Sequence, residues 1–311
     1  TMPDKKQTTV LLTGGTGLVG SKLIPMLNEA GFSVRVLSRS RTGPDNARTY
    51  LWDIKKGSIE EGAVEGVDHI IHLAGENMGS GRWTSSKKKS IIDSRILSAR
   101  LLFDTIEKRN PELKSFTSAS ATGYYGAITS DKIFNETDPP GNDFAARVCV
   151  KWEEAAGLFR SGGYRTNIIR TGIVLSARGG MLAKVLPTIK MGFSPLFGKG
   201  KHYLPWIHID DLCGIYLKVL QDKNIDGVYN AVSPQPVRYR DFIRTLAKVK
   251  NNIVLMPPTP ELPWKILFGE KSSMLLEGSR VSADKIMAAS YDFQYPGLKE
   301  ALKDLTSRGT N

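Results

Sequence analysis

The stretch Val10-Leu11-Leu12-Thr13-Gly14-Gly15-Thr16-Gly17-Leu18-Val19-Gly20 decides the architecture. An apolar run leads into a glycine-rich turn, and apolar residues at helical spacing then continue as far as Gly31. This is a strand, a turn and a helix. Gly14 is placed to take positive φ in the turn, Gly17 lets the backbone approach a pyrophosphate, and Gly20 lets the helix pack close to the strand. The first N–H groups of a helix have no intrahelical partners and carry the positive end of its dipole, so they suit phosphate. Gly14, Thr16, Gly17, Leu18 and Val19 are therefore the candidate phosphate-binding residues of a dinucleotide site.

Working outward, strand-like runs at 33–37, 69–74, 115–120 and 167–170 alternate with helical stretches, among them 87–108. That alternation predicts a parallel sheet with crossover helices. The run at 69–74 is nearly continuously apolar, as a strand covered on both faces should be. After Thr171 the rhythm breaks at Gly179, Gly180, Gly192, Pro195, Gly198, Gly200 and Pro205; one more strand-like run follows at 227–232. Pro257, Pro258, Pro260 and Pro263 mark a loop before short helices, the last at 297–306. The expected fold is α/β, a doubly wound parallel sheet of Rossmann type with a smaller C-terminal cap. Residues 1–171 with 205–232 would form the dinucleotide-binding domain, and 172–204 with 233–311 the substrate and cap region.

The end of the second strand selects the dinucleotide. An NAD site places an acidic residue there for the ribose hydroxyls, whereas Arg can pair with a 2′-phosphate. The chain has Ser38-Arg39-Ser40-Arg41. A guanidinium flanked by hydroxyls suits a phosphate monoester in charge and donor count, so NADP(H) is the expected cofactor. The plainer alternative is that Arg39 and Arg41 only solvate a loop.

Composition narrows the remaining classes. The chain has 311 residues, 41% hydrophobic and 24% charged, which argues against disordered, collagenous and disulfide-scaffold proteins. Its two cysteines, Cys149 and Cys213, form no Cys-x-x-Cys or Cys/His cluster, so no metal site is expected and a reducing, cytoplasmic compartment fits. No apolar run reaches 18 residues, and no membrane contact is expected. The formal charge of +12 invites nucleic acid as a partner. Lys87-Lys88-Lys89 is the only run of three basic residues, however, and scattered charges read as solvated helix faces. An anionic cofactor or small anionic substrate is the smaller version of the same partner.

With these residues in hand, the chain resembles an extended short-chain dehydrogenase/reductase, and within it the NAD-dependent epimerase/dehydratase, cell-division-inhibitor-like branch. The resemblance is carried by Leu73-Ala74-Gly75-Glu76-Asn77, Arg82-Trp83, Asp93-Ser94-Arg95, the segment from Ser120 to Tyr125-Gly126, Lys151-Trp152-Glu153, Arg170-Thr171-Gly172-Ile173, Trp206 to Leu212 and Gly278-Ser279-Arg280-Val281. It implies that Asp53 and Ile54 meet the adenine, that Leu73, Ala74 and Gly75 pass beneath the adenosine ribose and pyrophosphate, that Arg95 neutralises a phosphate, and that Thr171, Gly172 and Ile173 flank the nicotinamide. It also implies a possible homodimer through long helices such as 87–108. Asp53 as a turn carboxylate and Arg95 as a surface helix charge are the competing readings.

Catalysis in that superfamily uses a Tyr-x-x-x-Lys pair on one helix face. Here Lys151 is taken as the lysine, and the position four residues earlier is Arg147, which cannot exchange a proton at neutral pH. Ser120, Tyr124, Tyr125 and Cys149 are the other candidate donors, with Thr122 a rival to Ser120. Aromatic packing competes for both tyrosines, and a buried core role competes for Cys149. Arg82, Trp83, Arg147, Lys199, Lys201, His202, Trp206 and Arg280 are candidate substrate contacts, the tryptophans serving equally well as packing at a domain junction. Asp210 or Asp211 reads as a helix N-cap. The expected function is an NADP(H)-binding oxidoreductase or epimerase-like protein acting on a small hydroxyl- or carbonyl-bearing substrate without the usual tyrosine. The alternative is a catalytically degenerate redox sensor or partner-binding protein.

Overall fold

A computed structural model describes residues 7–308. β1 (Thr9–Thr13) feeds α1 (Leu18–Glu29), and β2 (Ser33–Ser38), β3 (Arg48–Asp53), β4 (Ser58–Ile59) and β5 (His69–His72) follow. The long α2 (Ser85–Arg109) leads to β6 (Ser115–Ala121), the short β7 (Ile133–Phe134), α3 (Phe144–Ser161), β8 (Arg165–Thr171) and β9 (Ile173–Ser176). Then come α4 (Gly180–Lys190), β10 (Tyr203–Leu204), β11 (Trp206–His208), α5 (Ile209–Gln221), β12 (Gly227–Ala231), β13 (Val237–Arg238) and α6 (Tyr239–Val249). The C-terminal part carries α7 (Glu261–Phe268), α8 (Ser273–Leu276), β14 (Arg280–Val281), α9 (Asp284–Ala288) and α10 (Leu298–Arg308).

Eight strands form one sheet in the order β12-β8-β6-β5-β1-β2-β3-β4. All its pairings are parallel except that of β3 with β4. The expected doubly wound sheet is present. Because side chains alternate along a strand, Val10 and Leu12 of β1 point into one core with Leu23, Ile24 and Leu27 of α1, while Leu11 points into the other with Ile70, Phe116, Leu102 and Phe159. Both faces are covered, and even the polar residues of β6, Ser115, Thr117, Ser118 and Ser120, are buried.

The C-terminal half is less separate than its turn chemistry suggests. α6 and α10 bury Phe242, Ile243, Leu246, Leu302 and Leu305 in the same core as α1 and α5. β7, within the expected first domain, pairs with β14 of the expected cap. The small strands β9 and β11 pair in parallel beside the main sheet. Of the two readings open for Trp206, packing holds: it is only 1% exposed and donates its indole N–H to Gln235 O at 3.2 Å, at that junction. His208, not Asp210 or Asp211, caps α5, its Nδ1 accepting from Asp210 N at 3.1 Å. Asp211 instead receives the backbone N–H groups of Gln294 and Tyr295 at 2.7 and 2.9 Å and anchors the approach to α10.

The packing of α3 on the sheet rests on Phe159, stacked on Phe116 with ring centroids 3.6 Å apart and both rings fully buried. Phe159→Ala should cost about 3–5 kcal/mol in urea unfolding. A loss below about 1 kcal/mol would contradict this packing.

Candidate functional site

The sheet reverses strand order between β1 and β5, and ligands of such sheets bind outside the strand ends at that point. Thr13 shapes the crevice. Its hydroxyl oxygen accepts the N–H groups of Leu73 and Ala74, both at 3.1 Å, so its proton goes to His72 Nδ1 at 2.8 Å. His72 therefore carries its proton on Nε2 and donates it to Ser98 Oγ at 3.0 Å, which in turn donates to Arg95 O at 3.1 Å. Burial, helped by the Arg95 charge, holds the His72 pKa down to about 3. The imidazole is a neutral strut.

The glycine loop sits on this scaffold. Gly14 has φ +72°, and a Cβ on Gly20 would lie 2.4 Å from Gly14 O, so neither position accepts a side chain without displacing backbone. Among the described residues no side chain caps α1, and no acidic residue occupies its first turn. Its leading N–H groups are thus left for a ligand, with Thr16 and Gly17 exposed and Leu18 and Val19 half-buried beside them. Leu73 and Ala74 are half-buried and Gly75 is exposed.

At the end of β2, Ser38 Oγ accepts Ser40 N at 3.2 Å. Arg41 is paired with Glu60 at 2.9 Å, but Arg39 is exposed and makes no hydrogen bond or ion pair among the described residues. Asp53 ends β3, where its Oδ1 accepts Lys55 N and Lys56 N at 2.9 and 3.0 Å, so it closes a turn beside Ile54. At the far side of the crevice Thr171 ends β8, and Gly172 N and Ile173 N donate to Ala231 O and Pro205 O.

The face of α3 turned toward the end of β6 is not the one that carries Lys151. Gly123 faces Ala145 and Cys149, four residues apart on that helix. Lys151 lies on the outer face, about half exposed and paired with Glu154 at 2.8 Å, and it lines a groove of about 390 Å³ with Ile92, Ile96 and Arg100. Arg147 is exposed on the same outer side, bonded to Asn142 O at 2.9 Å. The placement of both residues at the site is corrected: helical periodicity puts positions 145, 149 and 153 inward and 147 and 151 outward.

Glu153 is what the inward face brings to the strand ends. It receives Ser120 Oγ at 2.7 Å and the Arg170 guanidinium through two bonds of 2.9 and 2.8 Å. Arg170 also donates to Tyr125 Oη at 3.1 Å, and Tyr125 donates to Asn230 Oδ1 at 2.7 Å. Burial outweighs the Arg170 charge and pushes the Tyr125 pKa up to about 12, which makes Tyr125 a donor in a fixed network. The Cys149 thiol is also pushed up to about 12, by burial and then by Glu153. Tyr124 differs. It is half-buried, its hydroxyl makes no hydrogen bond among the described residues, and the Arg170 guanidinium lies 3.4 Å from its ring centroid.

Several expected substrate contacts lie apart from this network. Arg82 is exposed and reaches Ile266 O at 3.4 Å; Trp83 packs edge-on against Phe144 at 4.8 Å. Arg280 lies 5.7 Å from the Tyr203 ring, beside the junction of β10, β11 and β14. His208, Asp210 and Asp304 cluster, but Lys22 and Arg308 already pair with Asp210 at 3.0 and 2.7 Å, which makes it an ion-pair cluster.

The model of the NAD dependent epimerase/dehydratase family matches residues 10–231. The chain belongs to that family. A domain of unknown function (DUF1731) matches residues 259–305. The epimerase family protein SDR39U1 of Homo sapiens is 31% identical over 303 residues, covering 96% of this chain and 99% of the relative. The chloroplastic SDR39U1 homolog of Arabidopsis thaliana is 32% identical over 305 residues, covering 96% and 87%. The crystal structure of human SDR39U1 (isoform2) with NADPH has a TM-score of 0.86 at 30% identity, covering 96% of this chain and 99% of that one. The Thermus thermophilus UDP-glucose 4-epimerase complex with NAD has a TM-score of 0.78 at 20% identity over 98% and 100%, and shares the fold.

In this epimerase-family chain the residues that meet at the strand ends, Glu153 and Arg170, lie within the resembling segments Lys151-Trp152-Glu153 and Arg170-Thr171-Gly172-Ile173 without a role there. Their signal was a carboxylate two positions after Lys151, whose inward register is fixed by the buried Val148, Cys149 and Trp152. Among the described residues no helix is long and apolar enough to cross a membrane.

Buried histidines give the fold a pH signature. The pKa of His72 is held near 3 and those of His69 and His202 near 4, each chiefly by burial. Below the unfolded value of about 6.5 the unfolded chain takes up protons that the fold refuses. Stability should therefore be full above pH 6.5 and fall toward pH 4, by about 1.4 kcal/mol per pH unit for each neutral histidine. Urea midpoints that do not change between pH 7 and pH 5 would contradict this.

Proposed function

We propose that this protein binds NADP(H) across the strand ends and reduces or oxidises a small hydroxyl- or carbonyl-bearing substrate there. The observation that carries the reading is the uncapped, acid-free start of α1 together with Arg39, a cation with no partner among the described residues at the end of β2. The donor set fits the dinucleotide: N–H groups of the loop from Gly14 to Val19 for the diphosphate, except that of Gly17, which Gly14 O holds at 3.0 Å; Ser38, Arg39 and Ser40 for the 2′-phosphate; Asp53 and Ile54 toward the adenine; and Leu73, Ala74 and Gly75 along the ribose. Thr171, Gly172 and Ile173 would border the nicotinamide. The SDR39U1 structure solved with NADPH supports the same choice.

When bound, the nicotinamide supplies or accepts the hydride. The chain's part is to hold a proton near the reacting oxygen. Ser120 has committed its proton to Glu153, and the Cys149 thiol is buried and stays protonated. Tyr124 is left as the donor, its ring held against Arg170 and its hydroxyl open to a ligand. Tyr124→Phe should lower kcat for NADPH oxidation, measured with a panel of carbonyl compounds, by about 10²-fold or more and leave NADPH affinity unchanged. Unchanged turnover would remove Tyr124 from the reaction.

One observation favours the reading of a nucleotide-binding protein without turnover: the inward face of α3 presents Ala145 and Cys149 and holds no tyrosine-lysine pair. Tight NADPH binding with no turnover across the panel would support it. For the cofactor itself, Arg39→Ala should weaken NADPH by about 1.5–3 kcal/mol in calorimetry and leave NADH unaffected. Equal losses for both would refute the 2′-phosphate role. The outer groove of α2 and α3 is where we place a homodimer contact, which light scattering at several concentrations tests.

A further inference from the structure

Three charged side chains on α2, α3 and β8, at the strand ends from β5 to β8, have a sum that is not zero. Arg170 is 3% exposed and Arg95 is 6% exposed, and the carboxylate bonded among them is Glu153, which belongs to Arg170. Arg95 has no carboxylate within ion-pairing distance among the described residues. One terminal amino group donates to Ile91 O and Glu76 O at 2.8 and 3.1 Å, and its Nε is buried without an acceptor. The guanidinium stacks over Trp152 at 4.4 Å and lies against Gly75, whose added Cβ would fall 3.0 Å from Arg95 Cζ.

The other groups facing Arg95 do not cancel it. Glu76 is already bound by Lys87 and Ser90, His72 is neutral, and the Cys149 thiol stays protonated. Burial lowers the Arg95 pKa to about 10, still far above neutrality, so the side chain remains cationic. A buried charge without a counter-charge is costly to the fold. Its neighbours, Gly75 after β5 and Cys149 facing the end of β6, border the strand ends assigned above to the dinucleotide.

We infer that Arg95 is a specificity-determining residue that favours the reduced dinucleotide over the oxidised one, through the positive charge it leaves uncompensated at these strand ends. This rests on the dinucleotide reading. The phosphates are common to both forms and gain equally from a cation, whereas the oxidised ring carries a positive charge that the reduced ring lacks. At an effective dielectric constant of about 20, a unit charge within about 12 Å of that ring shifts the ratio of affinities about tenfold.

The test is calorimetry of NADPH and NADP⁺ on the full chain, its Arg95→Met variant and its Arg95→Lys variant, with circular dichroism confirming the fold. The natural chain should hold NADPH about tenfold or more tighter than NADP⁺. Arg95→Met should narrow that ratio about tenfold, and Arg95→Lys, which keeps the charge, should preserve it. Equal affinity of the natural chain for the two forms overturns the inference even where Arg95→Met does not fold, and so does a ratio unmoved in a folded Arg95→Met. Failure of the natural chain to bind either form would instead overturn the dinucleotide reading itself.

Discussion

The hydroxyl of Thr13 holds the two strands on either side of the sheet's reversal point. It accepts the first two N–H groups beyond β5 and passes its own proton to His72, so the ends of β1 and β5 are fixed to each other by side-chain bonds as well as by the ladder. Everything the site needs is referred to that junction. The glycine loop leaves β1 directly after it, Gly14 lies against the backbone of Leu73 and Ala74, and the His72-Ser98 chain ties the same point to the carbonyl of Arg95 on α2. A neutral histidine is required for this: a protonated imidazole could not accept from Thr13, and burial beside Arg95 keeps the ring uncharged.

Much of this was legible in the residues. The parallel sheet followed from alternation of apolar runs, and the loop from Gly14 to Gly20 followed from strand, glycines and helix in succession, because these signals are local. What depends on rotation about a helix axis was not legible. Spacing alone allowed Lys151 on α3 to face the site, and the buried positions 148, 149 and 152 turn it outward. The Glu153-Arg170 pair was hidden for a different reason: it joins α3 to β8, and no sequence pattern reports which buried guanidinium meets which carboxylate. Trp206 could be read equally as ligand platform or as junction packing because junction and site attract the same aromatic residues.

The charge of the chain acquires meaning from where its cations stand. Most are on solvated faces or in exposed ion pairs, which contribute little to stability or recognition. Arg39 and Arg95 differ in opposite ways. Arg39 is exposed and has no partner among the described residues, as the proposed phosphate contact requires, whereas Arg95 is buried with no carboxylate paired to it among them. On the proposals above, Arg39 would choose among dinucleotides and Arg95 between their redox states.

The central claim is that these strand ends form a site for NADP(H). The most direct measurement is a titration of the full chain with NADPH, followed by nicotinamide fluorescence, with NADH then added as competitor at constant salt. The account predicts saturable enhancement by NADPH and displacement by NADH only at roughly tenfold excess or more. No saturable signal, or displacement by NADH at equal concentration, would contradict it.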